Sequence, residues 1–237
     1  MSIVAVIPAR GGSKGILRKN LVSIAGRPLI AYAIETAKGA ASIDRVLVST
    51  DDDEIANLAL GLGAEVPFLR PAELSNDTAP MLGVLRHALA HLDIQGEKVS
   101  ALVLLQPTSP LRTVRHIEES ISLFRSVNAS SVVSVVEVPH RFNPVSVMKL
   151  TDQETLTPFV EGPYIPNRRQ EKQKAFARNG PVVLVCNPAT LRSGELYGER
   201  CIPYLMLEEE SLDIDNLEDL HLAERLILSS PRKSNNF

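Results

Sequence analysis

Short apolar runs alternate along the chain with stretches whose apolar residues recur at helical spacing. The runs are rich in Val, Ile and Leu, which is typical of buried strands in a parallel sheet. The helical spacing is typical of amphipathic helices with one buried face. We therefore predict strands over residues 3–7, 45–49, 66–69, 101–105, 131–136, 181–186 and 204–206. Helices are predicted over residues 28–39, 54–62, 80–92 and 114–124, with a last helix that ends near 228.

The order of these elements predicts an α/β fold. Strands that alternate with helices at this spacing form a parallel or mostly parallel sheet. Ligands of such sheets bind outside the carboxyl ends of the strands. Three polar loops, over residues 8–20, 50–53 and 106–112, each follow a predicted strand. We expect these loops to meet on one side of the sheet.

The alternation breaks between residues 139 and 178, where prolines and charged residues are frequent. A structureless stretch of this length is uncommon inside a compact domain. We predict that residues 139–178 form an inserted segment that packs on something other than the core, such as a second subunit. Residues 1–138 and 179–230 would then form one discontinuous domain, and residues 231–237 a tail.

Composition and charge narrow the class of protein. The 237 residues carry a formal net charge of −3, which gives no indication of a nucleic-acid partner. Trp is absent and aromatic residues make up 4%, which argues against a stacking platform for bases or sugars. We recognise neither a leader peptide nor an apolar stretch long enough to cross a membrane. Cys186 and Cys201 lack disulfide or zinc spacing, which favours a reducing cytoplasm.

The loop after the first strand combines glycine with positive charge. It reads Arg10-Gly-Gly-Ser-Lys-Gly15, with Lys19 and Asn20 just beyond. Glycines bare their backbone N–H groups, and the cations add positive charge beside these donors. The loop matches neither a Walker A motif nor the GxGxxG fingerprint. We interpret it as a cradle for an anion, in the first place phosphate, and the alternative is a basic surface turn.

Two groups of acidic residues are candidates for a metal site. Asp213 and Asp215 flank one apolar residue, so in an extended segment both carboxylates face one point. Such a pair suits Mg²⁺, which takes one or two carboxylates together with substrate phosphates. The alternative is a helix N-cap at Asp215 or Asn216. The acids of residues 50–53 resemble the Asp-x-Asp of glycosyltransferases, but we favour a helix N-terminus, where the helix dipole attracts acids.

Polar residues also follow the most apolar strand. Gln106, Thr108, Ser109 and Arg112 offer amide, hydroxyl and guanidinium groups that can bind a base or a sugar, although the prolines among them also suit a rigid turn. A basic run around Arg168 and Arg169 lies in the predicted insert, where an Arg can reach an acidic substrate or remain solvated surface. The sequence contains no legible Ser-His-Asp or Cys-His arrangement.

Six motifs occur along the chain in a fixed order: Ile7-Pro-Ala-Arg-Gly-Gly-Ser-Lys-Gly15, Lys19-Asn20, Arg70-Pro-Ala-Glu-Leu74, Leu105-Gln-Pro-Thr-Ser-Pro-Leu-Arg112, Asn179-Gly180 and Ser211-Leu-Asp-Ile-Asp215. In this order they resemble the acylneuraminate cytidylyltransferases, which comprise the CMP-sialic acid synthetases and their relatives for legionaminic and other nonulosonic acids. The resemblance extends from about Ile3 to Leu226 and is much less specific for the sugar than for the family.

The resemblance implies both a fold and a reaction. The fold is a Rossmann-like, three-layer α/β domain of the nucleotide-diphospho-sugar transferase type, with an inserted dimerisation segment. The reaction joins CMP from CTP to the anomeric 2-hydroxyl of a nonulosonic acid, releases pyrophosphate and uses Mg²⁺. A homodimer with active sites shared between subunits is also implied.

The resemblance further assigns residues to three parts of the site. The CTP part comprises Ala9, Arg10, Gly11, Ser13, Lys19, Asn20, Arg70 and Asp77. The sugar part comprises Gln106, Thr108 and Ser109, with Arg168 or Arg169 from the partner subunit as a clamp for the sugar carboxylate. Mg²⁺ is assigned to Asp213 and Asp215, which are the expected catalytic residues together with Arg10 and Lys19. One of the two carboxylates is also a candidate to accept the hydroxyl proton.

Three alternatives remain. A Kdo-type cytidylyltransferase shares the reaction, but Lys19-Asn20 and the Asp213–Asp215 motif argue against it. A nucleotide-sugar-dependent glycosyltransferase would use Asp51 and Asp53 and would not release pyrophosphate. A non-catalytic nucleotide-binding regulator would bind a nucleotide without converting it to any product. The sugar also stays open. Arg141 stands where sialic acid enzymes often carry Lys, and the sequence after Asn179 departs from the common Asn-Gly-Ala-Ile-Tyr.

Overall fold

A computed structural model describes residues 1–13, 15–160 and 172–229 of the protein. A mixed sheet of seven strands forms its centre. The strands of this sheet are β1 (Ser2–Pro8), β4 (Arg45–Ser49), β5 (Val99–Leu104), β6 (Ser131–Glu137), β9 (Phe176–Arg178), β10 (Leu184–Cys186) and β11 (Cys201–Leu205). Two small hairpins lie outside it, formed by β2 (Ser23–Ile24) with β3 (Arg27–Pro28), and by β7 (Met148–Leu150) with β8 (Leu156–Pro158).

Helices cover both faces of the sheet. They are α1 (Leu29–Gly39), α2 (Asp53–Gly61), α3 (Met81–Ile94), α4 (Val114–Val127), α5 (Pro188–Arg192) and α6 (Leu217–Ser229). Successive residues of β1 point to opposite faces, so Ala5 packs with α1, α2 and α4, whereas Val6 packs with α3 and α5. This arrangement confirms the predicted three-layer α/β fold.

The direction of one central strand differs from the prediction of a mostly parallel sheet. The order is β4-β1-β5-β10-β6-β11, in which β1 runs parallel to β4 and β5, and β11 runs parallel to β6. In contrast, β10 is antiparallel to both β5 and β6. A parallel strand needs a crossover connection. The segment between β6 and β10 instead contributes β9, which pairs antiparallel with β6, so the chain re-enters the sheet from the end where β6 finished.

The predicted strand over residues 66–69 is wrong. Only two single bridges form there, between Leu47 and Glu65 and between Thr50 and Leu69. Pro67 lies between these bridges and has no N–H to donate to a ladder, which disfavours a continuous strand at this position. The other predicted strands and helices are present, with ends that shift by a few residues.

The predicted insert is described only in part. Its described residues include the β7–β8 hairpin and β9, so its last strand belongs to the main sheet. Residues 161–171, which include Arg168 and Arg169, lie outside the described residues, as do Lys14 and the predicted tail over 231–237. The division into a domain and a dimerisation segment therefore stays a prediction. Within the described ranges, no helix combines the length and apolar character that a membrane crossing requires.

Candidate active site

The loops that follow β1, β4 and β5 meet at the carboxyl ends of these strands, as predicted. The loop after β4 contacts the loop after β1, since Asp51 accepts from the Gly11 N–H, but it does not line the cleft. The cleft, of about 290 Å³, is surrounded by the loops after β1 and β5, by residues 70–84 and by the segment before α6. Ten of the predicted site residues line it, namely Arg10, Ser13, Lys19, Asn20, Arg70, Asp77, Gln106, Thr108, Asp213 and Asp215. Three others lie next to it in the same loops: Ala9 is fully buried, Gly11 bonds to Asp51, and Ser109 is buried beneath the surface.

The glycine-rich loop is held in shape by its own polar side chains. The Ser13 hydroxyl donates to the Ile16 carbonyl at 2.6 Å and accepts from the Lys19 N–H at 3.0 Å. The Asn20 amide donates to the Arg10 carbonyl at 2.9 Å. Ser13 and Asn20 therefore fold the loop around the cleft, whereas Arg10 and Lys19 supply its charge.

Lys19 joins this loop to the segment that carries the two carboxylates. Its Nζ donates to the Ile214 carbonyl at 2.6 Å and lies 3.3 Å from an Asp215 carboxylate oxygen. Gly15 comes close to the same segment, because a Cβ built on Gly15 would lie 2.2 Å from the Asp215 carbonyl oxygen. The loop and the carboxylate segment are therefore in direct contact, although they lie almost 200 residues apart in sequence.

Asp213 and Asp215 lie on a segment that is neither helix nor strand, and both line the cleft, as predicted for the pair. Ile214 between them is buried, and its N–H donates to the Thr108 carbonyl at 2.9 Å. The helix cap is Asn216, whose side-chain oxygen accepts from the N–H groups of Glu218 and Asp219 at 2.8 and 3.0 Å. Because Asn216 provides the cap, the exposed Asp215 carboxylate is left facing the cleft.

The electrostatics of this pair suit a divalent cation. Burial raises the pKa of Asp213, and the neighbouring Asp215 charge raises it further, against the opposing effects of Thr108 and Lys19. Asp213 Oδ1 is buried and has no hydrogen-bond partner among the described residues. These residues contain no cluster of three or more His, Cys, Asp or Glu side chains that could enclose a metal. The donor set therefore fits Mg²⁺, which completes its coordination with substrate phosphates and water.

Two arginines also line the cleft. The Arg70 side chain is 4% exposed, and its nearest carboxylate oxygen, on Asp51, is 3.7 Å away. Its Nε and one terminal nitrogen have no hydrogen-bond partner among the described residues, and burial lowers its pKa. Arg10 forms an ion pair of 2.6 Å with Asp77. The unpartnered donors of Arg70 make this wall suited to an acceptor-rich ligand.

The third wall is built from the loop after β5 and the turn before β10. Gln106 Nε2 donates to the Gly180 carbonyl at 2.7 Å and ties the two segments together. Gly180 has a φ of +118°, a conformation that favours glycine, and the Asp213 and Ser109 side chains pack against it. The Ser109 hydroxyl is buried without a hydrogen-bond partner among the described residues.

The acids of residues 50–53 have structural contacts, in agreement with the favoured interpretation. Asp52 is the N-cap of α2 and accepts from the Ile55 N–H at 3.0 Å. Arg18 Nη2 donates to the same carboxylate at 2.9 Å. Asp51 accepts from the Gly11 N–H at 3.0 Å. The glycosyltransferase interpretation of Asp51 and Asp53 has no support from these contacts.

Comparison with known proteins agrees with this geometry. The sequence profile of a family described as cytidylyltransferase matches residues 4–236. The chain belongs to the cytidylyltransferase family. The predicted resemblance to acylneuraminate cytidylyltransferases is confirmed at this level.

Named relatives within this family act on several nonulosonic acids. The chain is 32% identical over 234 residues to the CMP-N,N'-diacetyllegionaminic acid synthase of Legionella pneumophila, covering 96% of this chain and 97% of that protein. It is 28% identical over 226 residues to the pseudaminic acid cytidylyltransferase of Campylobacter jejuni, covering 95% and 96% respectively. It is 32% identical over 222 residues to the N-acylneuraminate cytidylyltransferase of Escherichia coli, covering 93% of this chain and 51% of that protein, so it spans about half the length of that relative.

Solved structures agree on the fold of this cytidylyltransferase. A CMP:2-keto-3-deoxy-manno-octonic acid synthetase in complex with CTP superposes with a TM-score of 0.70 at 18% identity, covering 96% of this chain and 99% of that one. A 4-diphosphocytidyl-2C-methyl-D-erythritol synthase from Anaerococcus prevotii gives 0.61 at 14% identity, covering 96% and 98%.

Sequence reasoning missed part of the cleft of this cytidylyltransferase. Asn76, Met81 and Val84 line it without having been singled out, and an apolar helix such as α3 carries no signal that its first turn faces a ligand.

Asn179 was noted only as part of a motif. It is a buried hub, with Oδ1 accepting from the Ser134 hydroxyl at 2.6 Å and Nδ2 donating to the Ser211 hydroxyl at 2.7 Å.

Proposed function

We propose that this protein transfers CMP from CTP to the anomeric 2-hydroxyl of a nonulosonic acid, of the sialic or legionaminic acid type, with release of pyrophosphate. The observation that carries the proposal is the convergence of cations and paired carboxylates on one cleft. Arg10 and Lys19 stand on its first loop, and Asp213 and Asp215 stand on the segment that Lys19 contacts. Membership of the cytidylyltransferase family and the names of the full-length relatives support the same reaction.

The chemistry requires in-line displacement at the α-phosphorus of CTP. The C2 oxygen of the sugar forms a bond to this phosphorus, while the bond from the phosphorus to the oxygen that bridges to the β-phosphate breaks. The hydroxyl proton passes to one carboxylate of the Asp213–Asp215 pair. Arg10 and Lys19 bind the phosphates and offset the charge of the departing pyrophosphate, so most of the catalysis is positioning and electrostatics.

Asp213 and Asp215 are the residues that would hold Mg²⁺. When bound, Mg²⁺ would neutralise phosphate charge and help to orient the triphosphate. Support comes from two observations: Asp213 Oδ1 is buried without a hydrogen-bond partner in the described part of the chain, and the exposed Asp215 carboxylate lines the same cleft. Because the described residues offer no cluster of three carboxylates at this place, we expect Mg²⁺ to bind tightly only when CTP supplies further oxygens.

The two substrates occupy opposite walls in this proposal. The CTP wall comprises the loop of residues 8–20, Arg70 and Asp77. The Nε and one terminal nitrogen of Arg70 are buried without a hydrogen-bond partner among the described residues and can donate to CTP. The sugar wall comprises Gln106, Thr108 and Ser109. Arg168 and Arg169 are proposed as the partner's clamp on the sugar carboxylate on the strength of the resemblance alone.

We also propose a homodimer in the cytoplasm. Leu150, Leu156, Phe159 and Phe176 belong to the predicted insert, and their exposures range from 49% to 68%. Exposed apolar side chains concentrated in one segment are typical of an interaction surface. Sedimentation velocity tests this proposal: Leu150→Glu combined with Leu156→Glu should shift a dimer toward monomer, whereas a monomeric unaltered protein would contradict it.

The two free cysteines are consistent with a reducing compartment.

The test of the reaction is pyrophosphate release from CTP and Mg²⁺ with a panel of sugar acids. The panel contains N-acetylneuraminate, diacetyllegionaminate, pseudaminate, Kdn and Kdo, with UTP as a nucleotide control. Release with one nonulosonate is the expected result and identifies the substrate. Release with Kdo alone would support the Kdo-type alternative. If CTP binds but no sugar acid yields pyrophosphate, the proposed reaction is wrong.

A further inference from the structure

A buried cation lies beneath the wall that we assign to the sugar. Arg112 follows this wall in sequence, immediately before α4, and is only 2% exposed. Charged side chains are almost never buried to this degree unless they are paired or have a specific role. A solubilising role is excluded by the burial, so the contacts of the guanidinium must explain its presence.

The guanidinium of Arg112 donates to backbone carbonyls on both sides of the wall. One terminal nitrogen donates to the carbonyl of Gln106 and, at 3.4 Å, to that of Ser109. The Nε donates at 3.1 Å to the carbonyl of Val182, which lies just before β10. A planar fork with several fixed donors can hold three carbonyls at once, whereas the single ammonium of a lysine cannot reproduce this geometry.

These contacts connect Arg112 to polar groups that face the cleft. Holding the Gln106 carbonyl fixes the residue whose amide bonds to Gly180, and holding the Ser109 carbonyl fixes its buried, unpartnered hydroxyl. Thr108, between them, accepts the Ile214 N–H at 2.9 Å, so the same loop supports the carboxylate segment.

The charge of Arg112 also faces the carboxylate side of the site. Burial lowers its pKa, and the negative charge of Asp213 opposes that shift. An arginine remains protonated at neutral pH, so a fixed positive charge lies behind the sugar wall. In contrast, none of the hydrogen bonds of Arg112 reaches the loop of residues 8–20 or Arg70.

We infer that Arg112 is a positioning residue for the sugar acid: its fork locks the loop of residues 106–109 against the turn before β10 and so presents Gln106 and Thr108 to the substrate. The inference rests on the proposed function for its substrate, but the locking itself is independent of any reaction. The loop of residues 8–20 and Arg70 receive no hydrogen bond from Arg112 among the described residues, and the link to the carboxylate segment runs only through Thr108, so binding of CTP should change much less than binding of the sugar acid.

The experiment compares Arg112→Lys with Arg112→Met, and uses Arg125→Lys as the matched control. Arg125 is an exposed arginine on α4, so its substitution tests the chemistry of the change without the buried fork. Hydrogen exchange of peptides that cover residues 105–112 and 180–186 measures the locking. KM for the sugar acid and the Kd of CTP measure its effect on each wall.

We expect Arg112→Lys to accelerate exchange in both peptides and to raise KM for the sugar acid by about tenfold or more, since hydrogen bonds to a charged group are lost. The Kd of CTP should change much less than KM for the sugar acid, and Arg125→Lys should change none of these quantities. Arg112→Met should show the same pattern more strongly, and if it fails to fold, Arg112→Lys decides alone.

Two results would overturn the inference. The first is unchanged exchange in both peptides of Arg112→Lys. The second is an equal loss of affinity for CTP and the sugar acid, which would indicate general destabilisation. If the unaltered protein releases no pyrophosphate with any sugar acid, the proposed function fails, whereas hydrogen exchange still decides whether Arg112 locks the wall.

Discussion

The contact between Gly15 and Asp215 allows a sharp test of how the active site is assembled. A methyl group on Gly15 would lie 2.2 Å from the Asp215 carbonyl oxygen, whereas ordinary van der Waals contact begins at 3.4 Å. Gly15→Ala must therefore push the loop and the carboxylate segment apart by about 1.2 Å. The obstacle is backbone rather than a flexible side chain, so the segment itself has to move.

This displacement acts on the geometry of catalysis more than on the core. A misplacement of about 1 Å can reduce the rate by about 10²-fold, so we expect Gly15→Ala to lower kcat by that order. Overpacking typically costs about 1–3 kcal/mol in the free energy of unfolding. For a chain of this size each kcal/mol lowers Tm by roughly 2–4 °C, so the variant should remain folded at 25 °C.

Gly12→Ala is the matched control, because a Cβ on Gly12 has no heavy atom within 4 Å. Pyrophosphate release measures the activity of both variants, and thermal unfolding measures their stability. We expect Gly12→Ala to retain more activity and a higher Tm than Gly15→Ala. If Gly15→Ala matches the unaltered protein in both measurements, the loop does not depend on close contact with Asp215, and our account of the assembly is wrong.

Three further predictions concern the carboxylates, a buried hydrogen-bond hub and pH. Asp215→Asn should abolish pyrophosphate release without lowering Tm, because the side chain is exposed. The nearby Glu218→Gln is the control and should change neither quantity. Full activity of Asp215→Asn would refute the metal assignment. Asn179→Ala leaves two serine hydroxyls without their amide partner and should lower the free energy of unfolding, measured in urea, by about 1–3 kcal/mol. An unchanged urea midpoint would show that water replaces the amide. Burial lowers the pKa of His116, against the raising effect of Glu210. As pH falls, the unfolded chain therefore binds a proton at this histidine before the folded protein does. The free energy of unfolding should then decrease as pH drops below about 6.5. Urea unfolding at several pH values tests this, and His116→Gln should show a smaller dependence in the same range.

The extent of sequence-based prediction differs between the fold and the site. The alternation of apolar runs and amphipathic stretches predicted the layers, because burial on one or both faces of an element is a local property of its residues. The meeting of the loops after β1 and β5 in one cleft also followed, because parallel strands end at the same edge of a sheet. The reversal of β10 could not be predicted, since direction depends on where the chain re-enters the sheet.

The sequence by itself determined which chemistry the chain carries: a glycine-rich cationic loop, a pair of carboxylates and the motifs of a cytidylyltransferase. Only the tertiary structure decided which of these groups face the cleft and which support it. Arg112 became a buried lock through its bond to Val182, and Lys19 came to bond the backbone beside Asp215. These roles depend on contacts between residues that are distant along the chain. Such contacts are set by the packing of whole elements, and a local pattern of residues carries no record of them.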